Sequence, residues 1–122
     1  MARITFADGR WVDLRPMFVD DELAFEELAA AGSALDAARQ EASAALDAAG
    51  EDSAAQEAAL DKAQAAQALY YEWLRKTRDR MQAACTATSW DGPLGQKVTR
   101  DELSALARQW RRSTEDAALP PD

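Results

Sequence analysis

Apolar and polar residues first alternate and then adopt a helical spacing along the chain. Arg3-Ile4-Thr5-Phe6 and Trp11-Val12-Asp13-Leu14 are β-prone runs separated by Ala7-Asp8-Gly9-Arg10. An Asp-Gly pair between such runs supplies the positive φ angles of a type I′ turn. The pattern predicts a β-hairpin over residues 1–16, ended by Pro16, in which Phe6 faces Trp11 across a two-residue loop. Because an isolated hairpin is only marginally stable, we expect it to dock on the helices or to pair with another chain's sheet.

The second pattern is a stripe of apolar residues at helical spacing, which predicts a first helix over residues 19–49. Asp20 is the predicted N-cap, and Gly50 suits the position after the last turn. Gly32-Ser33 leaves open whether this helix breaks in the middle. The predicted stripe consists of Phe25, Leu28, Leu35, Ala42, Leu46 and Ala49.

A second helix is predicted over residues 52–87, with Ser53 and Gln56 forming a capping-box pattern at its start. Its apolar positions alternate by three and four residues, which is the spacing of a heptad seam. These positions are Leu60, Ala63, Gln67, Tyr70, Leu74, Thr77, Met81 and Ala84. Because only a short turn at Gly50 separates two long helices, they should form an antiparallel helical hairpin.

Residues 88–95 read as a break, and a third short helix is predicted over residues 99–113. Thr99 and Glu102 form a second capping box, and Val98 with Leu103 forms the hydrophobic staple that accompanies it. Leu103, Leu106, Ala107 and Trp110 share one face of this helix. Residues 114–122 are predicted to be a mobile tail. The fold class is therefore mainly α, with an N-terminal β-hairpin, a long antiparallel helical hairpin and a short C-terminal helix in a single domain, 1–122.

Composition changes this picture in two ways. Alanine makes up about a quarter of the chain, so much of the apolar content is methyl groups and the core should be thin. A thin core makes a homodimer plausible. The net charge is −8, which argues against binding to nucleic acid or to anionic membranes, since both need a positive face. It favours protein partners with basic patches.

The sequence also bears on location. No apolar run approaches about 18 residues, so no membrane-spanning segment is expected. The start, Met1-Ala2-Arg3-Ile4-Thr5, lacks the apolar core of an export signal. Cys85 is the sole cysteine, which excludes an intrachain disulfide and is compatible with a reducing compartment. We therefore expect a cytoplasmic protein.

Catalytic chemistry is hard to place in this chain. There is no histidine to act as a base or a metal ligand, and the few glycines do not form a phosphate-binding loop. The acidic residues follow the spacing of a solvated helix face. Cys85 lies late in the predicted second helix beside alanines and reads as a small core residue. No enzymatic activity, cofactor or metal site is expected.

The candidate binding residues are aromatic and basic. Three aromatic residues within Tyr70–Trp73 cannot share one helix face, so some of them either pack on Phe6, Trp11 or Trp110 or stand exposed as binding anchors. The arginines near the end of the second helix either complement its dipole and pair with acidic residues, or form a docking patch. The candidate partner-binding residues are Trp11, Tyr71, Trp73, Trp90, Trp110, Arg75 and Arg78.

Trp90-Asp91-Gly92 is a Trp-x-Gly triplet in an alanine-rich helical chain. It resembles the triplet of the helical-hairpin substrates of actinobacterial type VII secretion. In that family the triplet occupies the turn between the two helices, whereas here it follows the second helix. The family's Tyr-x-x-x-Asp/Glu signal is also missing, because Leu74 and Arg75 stand four residues after Tyr70 and Tyr71.

The run Phe6-Ala7-Asp8-Gly9-Arg10-Trp11-Val12-Asp13-Leu14-Arg15 resembles the opening of tail assembly chaperones from tailed phages of actinobacteria. Ser89-Trp90-Asp91-Gly92, followed by a short helix and a Leu-Pro end, is similar as well. The resemblance covers the two ends, about a third of the chain, while the middle matches only in being helical. It implies an acidic, helical, non-enzymatic protein that keeps tail-tube or tape-measure protein soluble before assembly.

The expected function is therefore that of a phage tail assembly chaperone. Its mechanism would be association of a partner helix along the Ala/Leu seam. Two alternatives remain: a structural, scaffold or connector subunit of the phage particle, and a type VII secretion-like helical-hairpin protein.

Overall fold

The fold is that of a mainly helical protein, as predicted. A computed structural model describes residues 2–116, with side chains as far as Thr114. The strands are β1 (Ala2–Thr5), β2 (Trp11–Leu14) and β3 (Cys85–Thr88). The helices are α1 (Val19–Ala49), α2 (Ser53–Ala84) and α3 (Arg100–Asp116), with a 3-10 helix at Leu94–Gln96. The antiparallel β-hairpin, the two long helices packed together and the short C-terminal helix are all confirmed.

The chain divides into two compact units, and each is described by itself. The terminal unit comprises Met1–Ala24 and Thr77–Asp122, and the hairpin unit comprises Phe25–Lys76. The terminal unit contains the sheet, α3 and one end of each long helix. The hairpin unit contains the remainder of α1 and α2 and the turn that joins them.

The N-terminal hairpin has a different turn from the predicted one. Thr5 lies opposite Trp11, and the Phe6 N–H donates to the Arg10 carbonyl at 2.7 Å. The loop therefore holds three residues, and Gly9 alone among them has a positive φ, of 93°. A type I′ turn needs a positive φ at both central residues, which Asp8 does not have. The loop instead matches the three-residue class, in which a glycine follows the turn as a bulge.

The sheet has a third strand that the sequence analysis assigned to a helix. α2 was predicted to reach residue 87, but it ends at Ala84 and the chain continues directly as β3. β3 pairs antiparallel with β2, with Leu14 opposite Cys85 and Val12 opposite Thr88. β2 thereby has a partner on each side, and the N-terminal hairpin finds its third strand within its own chain. Cys85 is accordingly a half-buried strand residue, and its prediction as a helical core residue was wrong.

α1 begins one residue earlier than its predicted cap, and that cap was wrong. Phe18 is the residue before the helix, and its N–H donates to Oδ2 of Asp21 at 2.8 Å. Asp21 thus occupies the third helical position and satisfies a backbone donor that the helix cannot. The helix passes through Gly32 without interruption. The break left open in the sequence analysis does not occur.

Asp52 caps the start of α2. Its Oδ1 accepts from the N–H groups of Ala54 and Ala55 at 3.0 and 3.3 Å. Gln56 does not complete a box with Ser53, since its side-chain amide donates to the Gly50 carbonyl. Gly50 has a φ of 55°, the left-handed conformation that commonly ends a helix.

The buried stripe of each long helix was predicted only in part. Leu28, Leu35, Ala42 and Ala49 are buried, whereas the predicted Leu46 is exposed. On α2 the predicted Thr77, Met81 and Ala84 are buried, and so are Ala59 and Ala66, which were not predicted. The predicted Leu60, Ala63 and Gln67 are exposed. Alanine at the contact lets two helix backbones approach closely, so the seam follows the small residues and turns the larger Leu60 outward.

Most of the core of the terminal unit is built from large apolar side chains. The capping box at Thr99 and Glu102 is confirmed by reciprocal hydrogen bonds of 3.0 and 3.2 Å. The predicted face of α3 is confirmed by the burial of Leu103, Leu106 and Trp110. The other fully buried large apolar residues of this unit are Val12, Leu14, Met81 and Leu94. Of the predicted tail, residues 114–116 belong to α3, and residues 117–122 lie outside the described residues.

Candidate protein-binding surfaces

Trp73 lies in the seam of the hairpin unit. Its indole N–H donates to the Leu28 carbonyl at 2.9 Å, and its ring stacks on Tyr70 with the centroids 6.4 Å apart. A Cβ placed on Gly32 would lie 3.6 Å from Trp73 Nε1. The small residue on α1 therefore makes room for the indole on α2. Trp73 is half-buried and helps to join the two helices.

Tyr71 points away from the seam. Its ring meets Tyr70 edge-on with the centroids 5.5 Å apart. The Arg39 guanidinium lies over the Tyr70 ring, 4.4 Å from its centroid. Tyr70 is thus enclosed within the hairpin unit, while Tyr71 offers its outer edge to solvent.

An uncharged, exposed segment surrounds these aromatics on α2. Residues 63–71 carry no charged side chain, although Ala66 is the sole member that is buried. Leu28–Leu35 of α1 is uncharged as well. We call these two segments the uncharged belt. An exposed helix normally presents charged or polar residues to water, so the belt is unusual for a chain in which charged residues make up 30%.

Leu60, three residues before the belt, and Tyr71, at the end of its α2 segment, mark one side of α2. They are eleven residues apart, which places them on nearly the same helix face about 16 Å from each other. Gln64 and Gln67 lie between Leu60 and Tyr71 on the same side of the helix, so the four residues follow one another at spacings of four, three and four. The exposed fractions are 53% for Leu60, 49% for Tyr71 and 48% for Leu69, which lies on the opposite side of the helix.

The remaining tryptophans belong to the terminal unit and differ in exposure. Trp110 is 1% exposed and donates its indole N–H to the Arg15 carbonyl at 2.6 Å. Trp11 is half-buried, and the Arg3 guanidinium lies 3.8 Å from its ring centroid. Trp90 is half-buried, and its indole N–H donates to the Pro93 carbonyl at 3.4 Å. Trp110 is a core residue, whereas Trp11 begins the central strand β2 and Trp90 lies in the loop after β3.

The two predicted arginines fall in different units. Arg75 is exposed on the hairpin unit. Arg78 belongs to the terminal unit, where it pairs with Asp79 at 2.9 Å. Its aliphatic stem lies close to Gly95, where an added Cβ would be 3.1 Å from Arg78 Cδ. Arg78 is therefore engaged within its own unit.

A buried ion-pair centre at Asp21 escaped the sequence analysis. Asp21 is 1% exposed, and Arg15 donates to both of its carboxylate oxygens at 2.6 and 3.1 Å. Arg80 also donates, at 3.3 Å. The Arg15 hydrogen bonds are the largest cause that holds the pKa of Asp21 below its ordinary value, against the opposing effect of burial. In the sequence, Asp21 is one of three consecutive acidic residues in the first turn of α1. All three fit the role of complementing the helix dipole, so the sequence does not single out Asp21.

The exposed apolar residues at the start of α1 were also missed. Phe18, Val19 and Leu23 are 58%, 69% and 58% exposed. We call these three residues the N-terminal apolar patch. The signal that could have found them is the i, i+4 spacing of Val19 and Leu23 on the face opposite the buried Asp21.

Reactive groups are few among the described residues. Burial raises the pKa of the Cys85 thiol, which disfavours the nucleophilic thiolate. Within residues 2–116, no three His, Cys, Asp or Glu side chains come together in a way that could hold a metal ion. No helix in the part of the chain that the structure describes has both the length and the apolar character to cross a membrane.

The chain was compared with family models, with curated proteins and with solved structures, and none of these comparisons finds a match.

Proposed function

We propose that this protein is a non-enzymatic binding protein that holds an apolar helical segment of a partner against the side of α2 that runs from Leu60 through the uncharged belt to Tyr71. The observation that carries the proposal is the exposure of the belt. A long exposed helix without charge leaves apolar surface in water, and such surfaces commonly mark interaction sites.

The seam itself is not open to a partner. Its leucines and alanines are buried between α1 and α2, so the insertion of a partner helix along the seam would require the hairpin to separate. The outer side of α2 needs no such change. Leu60 and Tyr71 offer two large anchors, and Gln64 with Gln67 offer hydrogen bonds without a charge to desolvate.

The resemblance to tail assembly chaperones supplies the partner class. The resemblance implies that tail-tube or tape-measure protein must be kept soluble before assembly, and a helix that covers an apolar segment of such a partner would do so. A partner held without ion pairs can also dissociate readily, because the charged residues around the contact remain solvated while the partner is bound. The belt and the resemblance together support the proposed chaperone function.

Co-expression with the tail-tube and tape-measure proteins of the same genome tests the proposal. We expect the intact chain to raise the soluble fraction of at least one of them and to co-elute with it. The double variant Leu60→Ser, Tyr71→Ser should lose both effects. Leu69→Ser is the matched control, because it removes an equally exposed apolar residue on the opposite side of α2, and it should leave both effects unchanged.

Two results would overturn the proposal. The first is equal solubility of the tail proteins with the intact chain and with the double variant. The second is recovery of the protein at fixed copy number in finished particles, which would instead support a structural or connector subunit.

A further inference from the structure

We propose that the N-terminal apolar patch is a second binding surface, and that it takes a cationic amphipathic segment of a partner protein. The patch belongs to the terminal unit and is independent of the belt, so this inference does not rest on the proposed function. Its three residues, Phe18, Val19 and Leu23, are each more than half exposed.

The geometry of the first turns of α1 creates the patch. Asp21 faces inward, where Arg15 and Arg80 bind its carboxylate. At 100° per residue, Val19 and Leu23 then lie on the opposite, outward side of the helix. Phe18 immediately precedes Val19 and adds its ring, which the Arg15 guanidinium approaches to 4.8 Å.

Charge on both flanks of the patch identifies the partner. Asp20 and Glu22 stand on either side of the Val19–Leu23 line, about 100° from the buried Asp21. Both are exposed, and neither forms an ion pair within the described residues. Arg15 and Arg80 direct their charges to Asp21 on the inward side. An apolar stripe bordered by two unpaired carboxylates therefore suits a helix with apolar residues on one face and Lys or Arg beside them.

The helix dipole makes this arrangement specific. Acidic residues in the first turn of a helix complement its positive end, and Asp20 and Glu22 occupy that turn of α1. An anionic surface, such as a nucleic acid or an acidic membrane, would meet repulsion from both carboxylates. The chemistry of the patch thus favours a basic polypeptide.

The test uses the intact chain and a fluorescent synthetic helix of Leu and Lys, with Leu on one face, followed by anisotropy. A second peptide carries Glu in place of Lys. We expect the Lys peptide to bind at least about tenfold more tightly than the Glu peptide. Val19→Ser, Leu23→Ser should weaken binding of the Lys peptide at least about tenfold, since it removes two of the three apolar side chains that the Leu face of the peptide would bury.

Asp20→Asn, Glu22→Gln should weaken the Lys peptide about three- to tenfold and flatten the dependence of its affinity on salt. The matched control, Asp47→Asn, Glu51→Gln, removes the same charge from the last turn of α1 and from the turn that follows it, and it should leave affinity within about twofold. A further control, Leu46→Ser, removes an exposed apolar residue that lies outside both the patch and the proposed surface on α2. Thermal unfolding by circular dichroism verifies that each variant remains folded.

Several outcomes would overturn the inference. One is equal binding by the intact chain and Val19→Ser, Leu23→Ser. Another is a dimer in light scattering that these two substitutions dissociate, because a second copy would then occupy the patch. A third is binding that becomes more than about tenfold tighter when residues 117–122 are removed, since the chain's own end would then be the occupant.

Discussion

The terminal unit and the hairpin unit are stabilised by different kinds of side chain. In the terminal unit, large residues such as Trp110, Leu106 and Met81 are fully buried, and a buried carboxylate joins three segments of the chain. In the hairpin unit, the contact surfaces are mostly alanine and leucine, with Trp73 as the one large aromatic in the seam. The comparison teaches that stability is concentrated in a few residues of one unit and distributed along the helices of the other.

Truncation of Trp110 should have the largest effect. Trp110→Ala removes a 1% exposed side chain together with its hydrogen bond to the Arg15 carbonyl, and we expect a loss of about 3–5 kcal/mol in the free energy of unfolding. Chemical denaturation followed by circular dichroism measures it. Trp90→Ala, in the half-buried loop, is the control and should cost less than about 1.5 kcal/mol. Equal effects of the two substitutions would contradict a core concentrated at α3.

Removal of the buried charge should come second. Asp21→Asn leaves Arg15 and Arg80 without their carboxylate partner and should cost about 2–3 kcal/mol. This cost lies at or below the low end of what is usual for breaking a buried ion pair, because both guanidinium groups retain access to water. The folded pKa of Asp21 lies below its ordinary value, so its contribution is present above the unfolded pKa of about 3.9 and is lost as pH falls through the folded pKa.

The pH dependence separates this charge from the other acids. The free energy of unfolding should be measured for the intact chain and for Asp21→Asn from about pH 7 to pH 2.5. The difference in free energy between the two should shrink below about pH 4. Asp20→Asn is the control, since Asp20 is exposed and forms no ion pair in residues 2–116. A difference that stays constant down to the lowest pH would show that the charge of Asp21 is not what stabilises the unit.

Enlargement of a seam alanine should come third. Ala66→Leu places a larger side chain where α1 and α2 meet and should cost about 2 kcal/mol, a typical effect of overpacking. Ala65→Leu is its neighbour on the exposed side and should change the free energy of unfolding by less than about 0.5 kcal/mol. If the two variants unfold alike in urea, the seam does not run through Ala66.

The smallest effect should be an increase in the free energy of unfolding. Gly32 lies inside α1, and a Cβ there would meet Trp73 Nε1 at an ordinary contact distance of 3.6 Å. Gly32→Ala should stabilise the hairpin unit by about 0.5–1 kcal/mol, because alanine costs less backbone entropy in a helix. Gly50→Ala, at a φ of 55°, should destabilise instead. Hydrogen exchange of the α1 amides reports both changes, and a loss of stability in Gly32→Ala would indicate that the indole needs the free space.

The sequence was sufficient wherever the signal is local. The capping box at Thr99, the turn glycine at position 50 and the α1 stripe from Leu28 to Ala49 all depend on neighbouring residues, and the structure has them as predicted apart from the exposed Leu46. The set of α2 residues that faces α1 could not be predicted as well. Ala59 with Ala66 and Leu60 with Gln67 are both spaced seven residues apart, so both sets fit a seam. The choice between them depends on how closely two alanine-rich helices can approach.

Features that depend on distant residues were missed. β3 follows an alanine-rich helix without a Gly or Pro between them, and its two β-branched residues, Thr86 and Thr88, are the one local hint of a strand. Pairing with β2 decides its conformation. The role of Asp21 likewise depends on Arg80, which is 59 residues away. Of the candidate binding residues, Tyr71 could be assigned to an outer face only after the position of Trp73 was known.

The pairing of β2 with β3 has a consequence for how the chain folds as it is synthesised. Val12 must find Thr88, so the N-terminal strands emerge from the ribosome long before the strand that completes their sheet. The hairpin unit lies wholly between these segments and depends on contacts nearer in sequence, which form faster. We therefore expect α1 and α2 to pair first, starting from the Gly50 turn. Their pairing then brings the end of α2 close to the N-terminal β-hairpin. Pulse-labelled hydrogen exchange should protect the amides around Gly50 before those of β2.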